Sequence, residues 1–142
     1  MIDLRTNTLT AIAACSLGQQ AYYDFNSNDY AERAVLEGKY PVTTFIIGVG
    51  DVRVTERKSW TWGWNLVRCE VDILMFLRKH PTTTDEFGRD NKLARGMTKS
   101  QLSDADSILT CELREAEAQT QIHDNIWKRI WTLDVLMLEA LP

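Results

Sequence analysis

Residues 67–77 read Val67-Arg-Cys-Glu-Val-Asp-Ile-Leu-Met-Phe-Leu77, and this stretch decides the predicted fold. Apolar side chains occupy every second position from Val67 to Leu77, and Arg68, Glu70 and Asp72 lie between them. Such alternation is typical of a β-strand with one buried and one solvated sheet face. Leu74 and Phe76 occupy the positions that are charged earlier in the strand. We therefore expect another element to cover the second sheet face at this end of the strand.

Upstream of this strand, the pattern predicts two helical segments. Leucine, isoleucine and small residues at helical spacing predict a helix over roughly residues 3–18, with Asp3 at its start and Gly18 near its end. A shorter helical turn is predicted from Tyr30 to Leu36, ending at Gly38.

A β-hairpin is predicted next. Pro41 precedes a strand over 42–48 that is rich in β-formers. Gly48-Val49-Gly50-Asp51 has the composition of a turn, and a return strand runs from Val52 towards Lys58. The same four residues lack the Gly-Lys-Ser/Thr ending of a phosphate-binding loop, so the turn is the favoured interpretation.

Three further segments complete the predicted order. Residues 81–98 form a long polar loop, and a capping pattern at Thr98 or Ser100 starts an amphipathic helix to about Gln121. Aromatic and β-branched residues favour a strand over a helix for 126–138. The chain is therefore predicted as one α+β domain over residues 1–142, an antiparallel sheet of about four strands packed against two helices, in the order α-β-β-β-α-β.

Composition narrows the class of protein. The 142 residues are 44% hydrophobic, which suits one buried core. A net charge of −4 without a run of Lys or Arg argues against specific nucleic-acid binding. We expect no membrane span, because no apolar run approaches about 20 residues. We expect no signal peptide, because the N-terminus has no basic region followed by a long apolar stretch. Three widely spaced cysteines predict reduced thiols and a cytosolic setting.

Catalytic, cofactor and metal sites are not predicted. His80 and His123 have no ligand partner at a recognised metal spacing, and no nucleophile lies in a Gly-x-Ser-x-Gly context. Cys69 on the apolar side of its strand and Cys111 on the predicted helix are interpreted as buried, inert thiols.

Trp60, Trp62 and Trp64 occupy alternate positions just before the strand predicted over residues 67–77. They form either an aromatic patch at a subunit interface or a core cluster that meets Trp127 and Trp131, since Trp is common in both settings. A stacking platform for a sugar or a base is a less favoured third interpretation, because such platforms normally accompany a basic groove.

Charged positions are interpreted first as solvated faces. The alternative is that Arg68, Glu70, Asp72 and the run Glu112–Glu117 pair across a ring interface and set its register. The candidate interface residues are Gly48, Gly50, Asp51, Trp60, Trp62, Trp64, Asp85, Glu86, Arg89, Lys92 and Arg95.

The order of elements resembles that of the tail-terminator and neck proteins of tailed bacteriophages. The resemblance lies in an opening helix, Tyr40-Pro41-Val42 leading into a hairpin strand, the long strand from Trp64 to Leu77, a helix, and a closing strand from Trp127 to Val135. It implies a virion subunit, assembled in the host cytoplasm into a ring that is commonly sixfold. Such a ring caps the tail tube. Its subunits contact one another and the tail tube, sheath or neck proteins. Another head–tail connector or a head-closure protein is the alternative within this class.

Two hypotheses from other classes remain open at this stage. A small cytosolic enzyme or ligand-binding domain would place the Trp residues around an apolar cavity with a His or Cys nearby. An adaptor next to nucleic acid would bind DNA in a salt-sensitive way, which the acidic composition disfavours.

Overall fold

The computed structural model describes residues 3–15, 17, 22–42, 45–78, 92–94, 96–97 and 108–141, without the side chains of 117–119. Residues 92–94 form a short helical turn. The remaining elements are α1 (Leu4–Ala14), β1 (Tyr22–Asp24), α2 (Asn28–Leu36), β2 (Phe45–Ser59), β3 (Trp64–Leu77), β4 (Ile108–His123) and β5 (Ile126–Ala140).

The five described strands form one sheet in the order β1-β2-β3-β5-β4. The three-residue strand β1 runs parallel to β2, and all other neighbours are antiparallel. β3 is central: it pairs with β2 from Phe45↔Leu77 to Ser59↔Asn65, and with β5 from Trp64↔Ala140 to Leu77↔Trp127.

The predicted α+β fold, with an antiparallel sheet of about four strands on two helices, is wrong. The described chain is mostly β with a mixed sheet, and the order α-β-β-β-α-β fails at its second helix. The part of that helix within the described residues is β4, which pairs with β5 along its length. Cys111 and Leu113 alternate with Glu112 and Arg114, and Cys111 and Leu113 pack against the core. Strand pairing therefore overrides the helix propensity of the Glu, Ala and Gln residues.

The strand predicted over residues 67–77 is confirmed as part of β3. Its apolar side is buried beneath α1, where Leu4, Ala11 and Ile12 lie in the same core cluster as Val71 and Ile73. Asp3 caps α1, as expected, because its carboxylate accepts the Thr6 N–H at 3.1 Å. The helix ends at Ala14, earlier than the predicted end near Gly18, which lies outside the described residues.

Among the described residues, the opposite sheet face is covered at the end where the sequence predicted it. Leu74 and Phe76 pack with Phe25, with Ala31 of α2 and with Ile130 of β5 in a second core cluster. α2 agrees with the predicted helical turn, and Gly38 follows it with a φ of 81°. The predicted closing strand is confirmed as β5.

The turn predicted at Gly48–Asp51 is wrong, because β2 continues through it and both glycines are buried. A Cβ at Gly48 would overlap the Tyr23 carbonyl oxygen and the Phe25 ring. Asp51 exchanges two hydrogen bonds with Asn28: its Oδ1 accepts the Asn28 N–H at 3.0 Å, and its N–H donates to Asn28 Oδ1 at 2.9 Å. Glycine is required for close packing of strands and loop, not for a reversal of the chain.

Replacement of Gly48 by alanine should therefore lower the free energy of unfolding by about 1–3 kcal/mol, because the Tyr23 backbone cannot yield to a methyl group. Chemical denaturation measures this loss. Ser59→Ala, at an exposed position of the same strand, is the control and should stay within about 0.5 kcal/mol of the wild type. A Gly48→Ala protein of wild-type stability would contradict the packing role of this residue.

Candidate protein interface

The outer half of β2 is the exposed part of the β2–β3 hairpin, because β3 is paired with β5 along its whole length. Residues 52–59 are all exposed although they form a paired strand. At the tip, three tryptophans show large exposed fractions: 52% for Trp60, 99% for Trp62 and 43% for Trp64. Exposed aromatic side chains in one place are typical of a protein contact surface.

Backbone hydrogen bonds hold the tip in one shape. The Trp60 N–H donates to the Trp64 carbonyl at 3.2 Å, and the Trp64 N–H donates to Thr61 at 3.0 Å. Gly63 has a φ of 88°, a left-handed conformation that glycine adopts without strain. Leu141, just after β5, donates its N–H to the Gly63 carbonyl at 3.0 Å. The tryptophans are thus presented on a preorganised turn, which lowers the entropic cost of binding.

A core cluster of all five tryptophans, one of the two favoured interpretations, does not form. Trp64 pairs with Ala140 and Trp127 pairs with Leu77, at opposite ends of β3. These ends lie roughly 40 Å apart at about 3.3 Å per residue. Trp131 is 3% exposed, and its ring lies 4.6 Å from the guanidinium carbon of Arg129. Side chains this exposed cannot enclose a ligand, so Trp60, Trp62 and Trp64 do not line a cavity, and the interface and the less favoured stacking interpretations remain.

A groove of about 370 Å³ lies beside the start of α1, away from the hairpin tip. The exposed apolar side chains of Val52 and Val54 line it together with Leu4. Cys69 also contributes to the lining, but burial raises the pKa of its thiol, which makes it a weak nucleophile at neutral pH. Cys111 is similar, with burial raising its pKa to about 12. The groove suits an apolar side chain better than a reaction.

Asp72 is the centre of a polar network on the solvated side of β3. Its carboxylate accepts Arg53 Nη1 at 2.8 Å, Asn28 Nδ2 at 2.9 Å and the Thr132 hydroxyl at 2.8 Å. The side chain is 7% exposed. Burial raises the pKa of this carboxyl, but the hydrogen bonds lower it by more, so that the pKa lies below the ordinary 3.8. Asp72 is therefore held ionised and ties β2, α2 and β5 to β3.

The network continues to the far edge of the sheet through Arg114 of β4. Arg114 bridges Glu70 of β3 and Asp134 of β5, with its Nε donating to Asp134 at 2.8 Å. Glu70 also accepts Arg53 Nε at 2.9 Å. Glu70 and Asp72, for which pairing across a ring interface was the alternative to a solvated face, are thus paired within the chain.

The other candidate residues fall in three groups. Gly48, Gly50 and Asp51 lie inside β2, where the glycines are buried. Lys92 is exposed on the short helical turn. Asp85, Glu86, Arg89 and Arg95 lie outside the described residues, as do most of the predicted loop 81–98 and His80. The groove was missed by sequence reasoning, because its lining comes from three distant segments.

Among the described residues, no three His, Cys, Asp or Glu side chains are grouped as metal ligands would be. No helix in the described ranges is long and apolar enough to cross a bilayer.

Comparison with known proteins gives a likeness in structure. No protein-family model matches the chain, and no curated protein matches its sequence. A chain in the virion of a native gene transfer agent particle has a similar structure, with a TM-score of 0.59 and 9% sequence identity. The match covers 98% of this chain and 100% of that chain. At this identity the likeness shows a shared fold.

Proposed function

We propose that this chain is a structural subunit of a phage-like particle that works by assembly and not by catalysis. The observation that carries the proposal is the fold shared, over nearly the whole length of both chains, with a protein of a gene transfer agent virion. Because the match spans both chains end to end, it concerns the whole subunit and not a common sheet fragment.

Within such a particle, the function we propose is that of a tail terminator: a ring of identical copies that closes the tail tube and joins it to the neck. The rigid tryptophan tip supports this role, since preorganised aromatic side chains are the usual anchors of protein interfaces. The cross-strand network around Asp72 supports it too, because a sheet tied across four strands keeps its shape under load from neighbours. A subunit of this kind needs no reactive group.

Inactivation of the gene in particle-producing cells tests the proposal. We expect heads and tails that are complete but unjoined, or tails of irregular length, in electron micrographs of the lysate. A plasmid copy of the wild-type gene should restore joined particles. A copy encoding Leu36→Ala, a change at an exposed residue of α2, is the matched control and should restore them equally. Normal, infectious or transfer-competent particles without the chain would contradict the proposal.

A further inference from the structure

Trp62 is the most exposed large apolar side chain that the structure describes, at 99%. It lies on a turn in which the backbones of Trp60 and Trp64 are hydrogen-bonded, and Leu141, just after β5, donates its N–H to the turn. A fixed, fully solvated indole offers a large apolar area that costs little entropy to bury in a partner.

The groove beside α1 has the size and chemistry to receive an indole. Its volume of about 370 Å³ lies in the class of pockets, about 300–1,000 Å³, that bury small organic groups. Leu4, Val52 and Val54 supply apolar walls. Asp3 lies at the rim; its two oxygens accept from Thr6, and a carboxylate retains acceptor capacity for an indole N–H.

A hairpin tip cannot reach the groove of its own chain. Val54 pairs with Cys69, five residues along β3 from Trp64, a separation of about 17 Å at 3.3 Å per residue. β3 is also paired with β5 over this whole length, so that the hairpin cannot fold back. The groove and the tip are therefore two different patches, each able to meet only another molecule.

Charge favours another copy of this chain as that molecule. Residues 56–68 contain three basic side chains (Arg57, Lys58 and Arg68) and one acidic side chain, Glu56. The whole chain carries −4, so the rest of it carries −6. The two arginines of the groove, Arg5 and Arg53, are already paired with Asp24 and with Asp72 and Glu70. Two of the tip cations are also paired within the chain, Arg57 with Glu139 and Lys58 with Glu56, so the tip together with Glu139 keeps a net charge of +1. A weakly basic, aromatic tip is complementary to the acidic remainder of a second copy.

We propose that Trp62 of one copy inserts into the groove formed by Leu4, Val52 and Val54 of the next copy. The contact joins two unlike patches, and such heterologous contacts close into rings when the rotation between copies allows. The inference deepens the proposed ring and rests on it for its biological setting.

Native mass measured over a range of concentrations tests the contact. Wild-type protein should form a discrete oligomer, and Trp62→Ala should weaken self-association by about 30-fold or more, as expected for a buried interface tryptophan. Val54→Glu should do the same by placing a charge in the groove, with Val52→Glu as a second variant if Val54→Glu does not fold. Leu36→Ala should associate like the wild type. Circular dichroism confirms that each variant is folded.

Mixing the two variants gives the decisive result. Trp62→Ala retains an intact groove and Val54→Glu retains an intact tip, so an equimolar mixture should form a dimer that neither variant forms alone. Variants that assemble like the wild type, or a mixture without dimers, would overturn the inference. A wild-type chain that stays monomeric at every concentration would overturn it as well. The proposed virion role does not depend on these results, because it is tested separately by gene inactivation and the joining of heads to tails.

Discussion

Substitution of Asp72 by alanine is expected to lower the free energy of unfolding by about 3 kcal/mol, since removing one partner from a buried network leaves the others unpaired. Arg53, Asn28 and Thr132 all direct donors at this one carboxylate. Arg53 is 41% exposed and keeps Glu70, so the loss falls mainly on the buried donors. Asp72→Asn should cost less, because one oxygen acceptor remains.

Urea denaturation measures the loss, and Glu56→Ala is the matched control. Glu56 is an exposed carboxylate on the neighbouring strand, and its ion-pair partner within the described residues is Lys58 at 3.3 Å. Its removal should therefore change stability by less than about 0.5 kcal/mol. If Asp72→Ala is as stable as Glu56→Ala, the network does not hold the strands together.

The contribution of Asp72 should also depend on pH. The folded pKa of this carboxyl lies below its unfolded value of 3.8, so its stabilising effect is complete above that pH and is lost as the pH falls through the folded pKa. The stability difference between wild type and Asp72→Asn should therefore be constant from about pH 7 to pH 5 and shrink on further acidification. A difference that grows as the pH falls would contradict the assigned ionisation.

Replacement of Phe25 by alanine is expected to lower the free energy of unfolding by about 3–5 kcal/mol, as for other large buried aromatic residues. Phe25 is fully buried, and its ring contacts those of Tyr40 and Phe76, with centroids 5.2 Å and 5.7 Å away. It also covers Gly48 on β2. Without the ring, the second core cluster loses its central member and a cavity remains.

Leu36→Ala serves as the control, because Leu36 is 46% exposed and its truncation leaves no cavity. A second comparison links the ring to the glycine. In the Phe25→Ala background, Gly48→Ala should cost less than in the wild type, since one of its two obstacles is gone; such coupling is expected between residues in contact. A loss below about 1 kcal/mol for Phe25→Ala would contradict the assigned core.

Much of the centre of the sheet could be predicted from local pattern. The two-residue period of Val67–Leu77 predicts the strand and its buried side, because that side faces one continuous core. The alternating polar positions stop where Leu74 and Phe76 begin, and the covering element is indeed there. The closing strand followed from its aromatic and β-branched residues.

The two main failures have one physical cause. Gly48 and Gly50 have the composition of a turn, but their role depends on Phe25 and Asn28, which approach β2 from an earlier part of the chain. The segment around Leu113 has helix formers at helical spacing, and only pairing with β5 makes it a strand. Both outcomes depend on contacts between distant residues, which a local window does not contain.

The candidate site was predicted in part for the same reason. The three alternating tryptophans are visible in the sequence, and their exposure follows from the true position of the hairpin turn, Trp60–Trp64. The groove combines Leu4, Val52 and Cys69 from three elements, so no single stretch of sequence predicts it.

Quantitative mass spectrometry of gradient-purified particles tests the central claim, that this sheet protein is a structural part of a phage-like virion, most directly. We predict that the chain co-purifies with intact particles at a fixed, low copy number relative to the major capsid protein. Its absence from purified particles that are complete in their other proteins would contradict the claim.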